Sequence, residues 1–124
     1  MIKESLMPEQ EKLYDTVALT QTHRANPEFI KYMASLFIQY LPETSANLEK
    51  ACSESNWEKV YFFAHKMKAS IDLFNLVPLK DLIRKVEQRA LRFTQTDSIP
   101  HDVNFITDYI EKCIDVMKQE FNLD

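Results

Sequence analysis

The sequence contains no glycine among its 124 residues. Tight β-hairpins favour turns with positive φ, which glycine adopts at least cost. The phosphate-binding loops GxxxxGK(S/T) and GxGxxG also need several glycines at fixed positions. The absence of glycine therefore disfavours hairpin-rich folds and excludes both nucleotide-binding loops. We expect no enzyme of the kinase type and no intrinsic kinase activity.

Length and composition suit a single domain over residues 1–124, with 45% hydrophobic and 27% charged residues. The formal net charge of −4 disfavours nucleic acids and anionic membranes as partners. No stretch approaches the ~18 apolar residues of a membrane span, and the first residues lack the apolar core of a signal peptide. We expect a monomeric, cytoplasmic protein.

Neither a resident metal nor a cofactor is expected. Cys52 and Cys113 follow no CxxC pattern, so a role as small buried side chains is favoured over a disulfide or a metal site. A di-metal helical bundle would need Glu-x-x-His pairs on facing helices. Neither these pairs nor an HExxH motif occurs in the sequence.

Apolar residues recur at spacings of three and four, the period of an amphipathic helix, in four long stretches. These stretches cover about residues 27–53, 56–75, 78–93 and 100–121. Pro42 lies inside the first stretch, but the apolar pattern continues in register beyond it, so we predict one kinked helix. Residues 13–19 are predicted to form a shorter amphipathic helix. Because short loops join neighbouring helices antiparallel, the predicted fold is an all-α, up-down-up-down four-helix bundle with a short N-terminal helix.

His65 is the most informative residue of the stretch 56–75. At 100° per residue, it lies roughly 120–180° away from the apolar positions of that helix. Those positions are Val60, Phe63, Met67, Ile71 and Phe74. His65 is therefore predicted to face solvent rather than the core, which leaves a plain surface histidine or a functional one.

The neighbours of His65 favour a functional histidine. Tyr61, Lys68, Ala69 and Asp72 fall within about 60° of it on the same helix face. A neutral imidazole has a free nitrogen lone pair that can attack a phosphoryl group. Lys68, one turn away, can offset the ~−2 charge of the resulting phosphate. Ala69 leaves room above the helix for a second protein, and Asp72 is expected to contact that partner as well.

The stretch AHKMKAS at residues 64–70 closely resembles the AHx(L/M)KGS core of histidine-containing phosphotransfer (HPt) domains. Further positions resemble two motifs of the family, YDxxxL and GDxEF. Two single residues also match family positions, a tryptophan before the histidine and a glutamate in the next helix. They are Tyr14, Asp15, Leu19, Asn26, Glu28, Phe29, Trp57 and Glu87. The resemblance is strongest over residues 14–90.

This resemblance implies an HPt-like bundle in which His65 is the phosphoacceptor, through Nε2, and Lys68 is the phosphate-stabilising cation. It also implies response-regulator receiver domains as partners, which bring an aspartyl phosphate and their own Mg²⁺, and a hybrid sensor kinase in the same pathway. The sequence departs from the family pattern at Ala69 and Asn75, where the family commonly has glycine. Asn75 tolerates the left-handed conformation of a helix end.

Two further features have two interpretations each. Tyr61 and Phe62, together with Ala69, could form an apolar collar for partner docking, or the two aromatics could be ordinary half-buried residues. The stretch 78–93 is rich in basic residues, which favours a solvated face over the alternative of steering an acidic partner. The basic residues are Lys80, Arg84, Lys85, Arg89 and Arg92, against Asp81 and Glu87.

The leading hypothesis is a signalling intermediate of a His–Asp relay, which takes a phosphoryl group onto His65 from one receiver and passes it to another. The alternative is an adaptor that binds receivers or other helices without being phosphorylated. Ala69 and the absence of glycine are the features that point to the adaptor.

Overall fold

The computed structural model describes residues 12–23 and 26–123. The described residues form five α-helices and one short 3₁₀ turn, and they contain no β-strand. The elements are α1 (Val17–His23), α2 (Pro27–Ser53), α3 (Trp57–Leu73), α4 (Val77–Arg92), the 3₁₀ turn Thr96–Ser98, and α5 (Ile99–Glu120). The predicted all-α class and the four long helices are confirmed, and α2 runs through Pro42 as one helix.

Local sequence signals begin and end the helices that carry the site. The Asn26 side chain accepts a hydrogen bond from the backbone N–H of Phe29 at 2.8 Å, and Asn56 accepts one from Lys59 at 3.2 Å. Both contacts satisfy an otherwise unpaired donor of a helix start. Asn75 has φ of 53° and follows the end of α3. There the N–H of Asn75 bonds to the Asp72 carbonyl and the N–H of Leu76 to the Ile71 carbonyl, the glycine-type helix end formed here with asparagine.

The N-terminal helix lies later in the chain than predicted. Residues 13–19 were expected to be helical, but residues 12–16 are not, and α1 begins at Val17. The Asp15 carboxylate accepts a hydrogen bond from Val17 N–H at 3.1 Å, while Asp15 N–H donates to the Phe74 carbonyl at 2.9 Å. The buried Tyr14 donates its hydroxyl proton to Glu120 on α5. The contacts with Phe74 and Glu120, which are distant in the chain, hold the segment before α1 outside a helix.

The most extensive helix contacts join α3 with α4 and α2 with α5. One continuous apolar core lies between these two pairs. Its fully buried side chains include Leu48, Met67, Ile71, Phe74, Ile83, Ile106 and Ile110. Phe63 is only partly buried, and Ala64 takes the inward position beside Val60 instead. Burial of such large apolar side chains stabilises a fold by about 1.5–3 kcal/mol each.

Both cysteines are free and buried. Burial raises the pKa of the Cys113 thiol to about 12, so it stays protonated at neutral pH. Within the described part of the chain, no helix combines the length and the apolar character needed to cross a membrane.

Candidate functional site

His65 lies near the middle of α3, and 57% of its side chain is exposed. Ala64 and Met67, which lie on the inner face of the same helix, are buried against the rest of the bundle. The predicted orientation of His65 toward solvent is confirmed. A rigid helix with a packed inner face therefore presents the imidazole at the surface.

Glu87 of α4 joins the two key side chains of α3. One carboxylate oxygen, Oε2, contacts His65 Nδ1, and the other, Oε1, lies 3.0 Å from Lys68 Nζ. Only 4% of the Glu87 side chain is exposed. A buried charge is tolerated only when it is paired. The two contacts provide that pairing and connect the surface of α3 to the interior of the α3–α4 contact.

The charge of Glu87 determines which nitrogen of His65 is free. Burial raises the pKa of Glu87, but hydrogen bonds from His65 and Lys68 lower it more, so the net pKa lies below its usual value. The carboxylate is therefore ionised at neutral pH and can only accept hydrogen bonds. Nδ1 of a neutral His65 must then carry the proton that it donates. The lone pair remains on Nε2, which makes no hydrogen bond within the described residues.

Lys68 is less exposed than a free surface lysine. Its side chain is 28% exposed because the ammonium group turns toward Glu87. The prediction placed Lys68 on the same face as His65, and the shared contact with Glu87 brings the two side chains together. Lys68 is thus one turn from the imidazole, with one of its three N–H donors directed at Glu87.

Tyr61 packs directly against His65. The two rings are stacked at a centroid distance of 5.7 Å and an angle of 24°. Tyr61 is half-buried, so this contact restricts the imidazole on one side while Glu87 restricts it through Nδ1. Together the two contacts limit rotation of the ring about its side-chain bonds.

Phe62 and Ala69 are exposed on α3 on either side of His65 along the helix. Phe62 is 54% exposed, and Lys66 Nζ lies 5.5 Å from the centre of its ring. The predicted apolar collar consists of Tyr61, Phe62 and Ala69. Phe62 and Ala69 are exposed to solvent, and Tyr61 is half-buried. Aromatic residues such as Phe62 are enriched at protein interfaces relative to the rest of the surface.

Asp72 is occupied by an ion pair with α4. Arg84 donates to both of its carboxylate oxygens, at 2.8 and 3.4 Å. Asp72 was expected to contact a partner; its carboxylate is paired with Arg84, and the partner contact stays a prediction. The pair lies near the C-terminal end of α3 and ties the two helices together there.

Glu87 is the site residue that the sequence analysis did not identify as such. It was noted in the family resemblance and grouped with the charged, solvated residues of its helix, whereas it is buried. A signal was present, since Glu87 lies four residues after Ile83 and next to Val86, within the apolar stripe of α4. A carboxylate at an inward helix position indicates a buried partner.

The other charges of α4 are divided between paired and unpaired groups. Lys85 and Arg89 lie 3.7 and 3.9 Å from the buried Asp102 of α5. Lys80 and Arg92 have no carboxylate within ion-pair distance among the described residues. The described residues also contain no group of three or more His, Cys, Asp or Glu side chains able to hold a metal ion.

Comparison with protein families gives one result that covers most of the chain. The model of the Hpt domain matches residues 33–120, which include His65, Lys68 and Glu87. The match extends beyond residue 90 into α5 and leaves out residues 14–29, where part of the resemblance was noted. Searches of curated proteins and of solved structures gave no match.

Hpt domains carry a phosphoryl group on histidine in two-component signalling, interact with response-regulator receivers and are not kinases. The matched range comprises most of α2 and all of α3, α4 and α5. The protein described here belongs to the Hpt domain family.

Proposed function

We propose that this protein is a relay intermediate that accepts a phosphoryl group on His65 from the aspartyl phosphate of one receiver and donates it to another. The observation that carries the proposal is the hydrogen bond from Nδ1 to the buried, ionised Glu87. This bond leaves the lone pair on Nε2 of an exposed ring. A nucleophile in this state needs no base to remove a proton before it reacts.

In the forward step, the Nε2 lone pair of His65 attacks the phosphorus atom of the aspartyl phosphate. An N–P bond forms, the P–O bond to the aspartate breaks, and the aspartate leaves as a carboxylate. The imidazole gains positive charge as Nε2 shares its electron pair. The Glu87 carboxylate offsets that charge through Nδ1–H. Transfer to the second receiver is the reverse of these bond changes.

Lys68 neutralises the transferred group. Phosphoryl transfer depends mainly on positioning and charge stabilisation. The phosphoryl group brings a charge of ~−2 to the surface beside Lys68. The ammonium has three N–H donors, so it can keep Glu87 at 3.0 Å and still donate to a phosphoryl oxygen. The receiver contributes Mg²⁺ to its own side of the reaction.

We also propose that residues 1–124 form one monomeric, cytoplasmic domain. Its four long helices are proposed to run in up-down-up-down order. Two contacts support the order for α3 and α4: His65 meets Glu87, and Asp72, further along α3, meets Arg84, earlier on α4. Contacts that run in opposite directions along two helices are those of an antiparallel pair.

The test is phosphoryl transfer from a phosphorylated receiver. The expected product is an acid-labile, alkali-stable label on the wild-type protein that is absent from His65→Gln. His101→Gln is the matched control, because His101 is also exposed but lies on α5. A label that persists in folded His65→Gln would refute the assignment.

A second candidate function, a receiver-binding adaptor that is not phosphorylated, is favoured by one observation. Ala69 is exposed one turn from His65, so its methyl group extends toward the space where a receiver must dock. Ala69→Gly removes that methyl group. Binding without transfer by the wild type, with transfer gained in Ala69→Gly, would establish the adaptor. Transfer by both proteins would exclude it.

A further inference from the structure

A groove lies on the surface of the α2–α5 pair, and all of its lining residues belong to these two helices. Its volume is about 330 Å³, which is within the usual range of small-ligand sites. Apolar side chains and carboxylates line it together. The apolar residues are Pro42, Ala46, Ile110 and Ile114, and the carboxylates are those of Glu49, Asp108, Glu111 and Asp115. The function proposed for His65 makes no use of this groove.

The four carboxylates of the α2–α5 groove carry an excess of negative charge. None of them forms an ion pair within the described part of the chain. Glu49 accepts a hydrogen bond from the Thr107 hydroxyl at 2.9 Å, which fixes its carboxylate beside α5. Against these four carboxylates the lining has one cation, Lys118. Because a cleft lined with one sign of charge concentrates counter-ions, the groove favours a cationic ligand.

Ser45 is an independent indication that a ligand binds in the groove. It lines the groove, is only 8% exposed, and its hydroxyl has no hydrogen-bond partner among the described residues. The neighbouring Thr44 hydroxyl bonds instead to the Tyr40 carbonyl one turn back, at 3.2 Å, which is a common way to satisfy a hydroxyl in a helix. An unpaired buried hydroxyl is destabilising. A ligand with an N–H donor would give Ser45 the missing partner.

The carboxylates on α5 are spread along the groove rather than gathered at one point. Asp108, Glu111 and Asp115 are three and four residues apart, which is about 4.5 and 6 Å along a helix axis. The described residues contain no group of three or more His, Cys, Asp or Glu side chains able to hold a metal ion. A ligand that matches the groove therefore carries several separate positive charges along its length.

A linear aliphatic polyamine has this distribution of charge. Ammonium groups separated by three and four methylenes are about 5 and 6 Å apart when the staggered chain is extended. The methylenes between them are apolar and can lie against Ala46 and Ile114 in the groove. Both the charge spacing and the apolar stretches of such a chain correspond to the groove lining.

We propose that the α2–α5 groove binds a linear polyamine with the spacing of spermidine, whose ammonium groups pair with Asp108, Glu111 and Asp115 and donate an N–H to Ser45. This site is separate from His65, and the inference uses no step of the proposed function. Mg²⁺ places its charge at one point and gives up its water reluctantly. We therefore expect it to bind this groove more weakly than the polyamine does.

The experiment is isothermal titration calorimetry of the full chain with spermidine, at neutral pH and ~0.05 M salt to limit screening. We expect one site with an affinity roughly tenfold or more above that for putrescine, which has two ammonium groups, or for Mg²⁺. Equal affinity for spermidine and Mg²⁺ would refute a site matched to separate charges. Tighter binding of an oligolysine peptide than of spermidine would refute a free polyamine as the occupant.

Two double variants that change the net charge equally, from −4 to −2, test the location of the site. Glu111→Gln with Asp115→Asn removes two carboxylates of the groove, whereas Glu28→Gln with Glu43→Gln removes two exposed carboxylates of α2 outside it. Spermidine should bind about tenfold more weakly to the first and less than about twofold more weakly to the second. Equal weakening in both would show a response to net charge alone and would refute the site.

Ser45→Ala tests the buried hydroxyl separately. It should weaken spermidine binding about threefold, the loss of one hydrogen bond in a solvated groove. Its melting temperature without ligand should be no lower than that of the wild type, because the hydroxyl has no partner to lose. A lower melting temperature with unchanged binding would refute the contact with Ser45. Spermidine should bind His65→Gln as it binds the wild type, so failure of phosphoryl transfer and failure of this inference are measured separately.

Discussion

Substitution of Glu87 by glutamine probes the contact on which the site depends. Glutamine has nearly the same shape as glutamate, so the α3–α4 packing is kept while the negative charge is lost. The carboxylate accepts from both His65 Nδ1 and Lys68 Nζ. Hydrogen bonds to charged groups contribute about 1.5–3 kcal/mol each. The amide oxygen can replace one acceptor, and the exposed parts of His65 and Lys68 regain water, so we expect a net loss of about 2 kcal/mol.

For a domain of this size, that loss lowers the melting temperature by roughly 6–10 °C. The rate of phosphoryl transfer should fall more specifically. Without the carboxylate, neither the Nδ1 proton nor the positive charge of the reacting imidazole is stabilised as strongly. A loss of about 1.4–2.8 kcal/mol at the transition state corresponds to a 10- to 100-fold slower transfer.

The assays are thermal unfolding by circular dichroism and rapid-quench transfer from a phosphorylated receiver. Asp81→Asn is the matched control, since it removes one negative charge from an exposed position of the same helix. Surface substitutions of this kind usually change stability by no more than about 0.5 kcal/mol. Wild-type transfer together with an unchanged melting temperature in Glu87→Gln would refute the role of Glu87.

The stability difference between wild type and Glu87→Gln should also depend on pH. Because the pKa of Glu87 is lowered in the folded protein, its contribution is complete above the unfolded carboxyl pKa of about 4.3. It is lost as the pH falls through the lower folded value. The difference should therefore persist between about pH 5 and 7 and close at more acid pH. A difference that vanished near neutral pH would contradict an ionised Glu87.

Three other perturbations have defined outcomes. Tyr61→Phe should transfer at close to the wild-type rate because it keeps the ring stacked on His65, whereas Tyr61→Leu should be slower without unfolding; equal rates in both would exclude a positioning role. Asp72→Asn should lower stability by less than about 1 kcal/mol, because both partners of the Asp72–Arg84 pair are more than two-fifths exposed; chemical denaturation measures this, and a larger loss would contradict it. Cys113, whose pKa burial raises to about 12, should react with iodoacetamide at pH 8 only after unfolding, and rapid labelling of the native protein would contradict its burial.

The parts of the fold that depend on local signals could be predicted from the sequence. The caps at Asn26 and Asn56, and the left-handed helix end at Asn75, involve residues within a few positions of one another. The exposure of His65 follows from the angular position of an apolar stripe on its own helix. Such features need no knowledge of how the helices pack.

The parts that depend on distant residues were missed or misplaced. The start of α1 is set by Asp15 N–H, which donates to Phe74 some 60 residues away in the chain. Glu87 is separated from His65 by 22 positions, and the charged residues around it in the sequence made it resemble part of a solvated face. The partial burial of Lys68 follows from the same contact. Only the packing of α3 against α4 brings these groups together.

The central claim is that His65 reacts through Nε2 while Nδ1 keeps its proton and donates it to Glu87. Heteronuclear NMR of the protein with ¹⁵N-labelled histidine, before and after phosphorylation by a receiver, tests this directly. We predict a protonated Nδ1 in the free protein and, after transfer, coupling of phosphorus to Nε2 of His65. Phosphorus bound to Nδ1, or to any residue other than His65, would contradict the account.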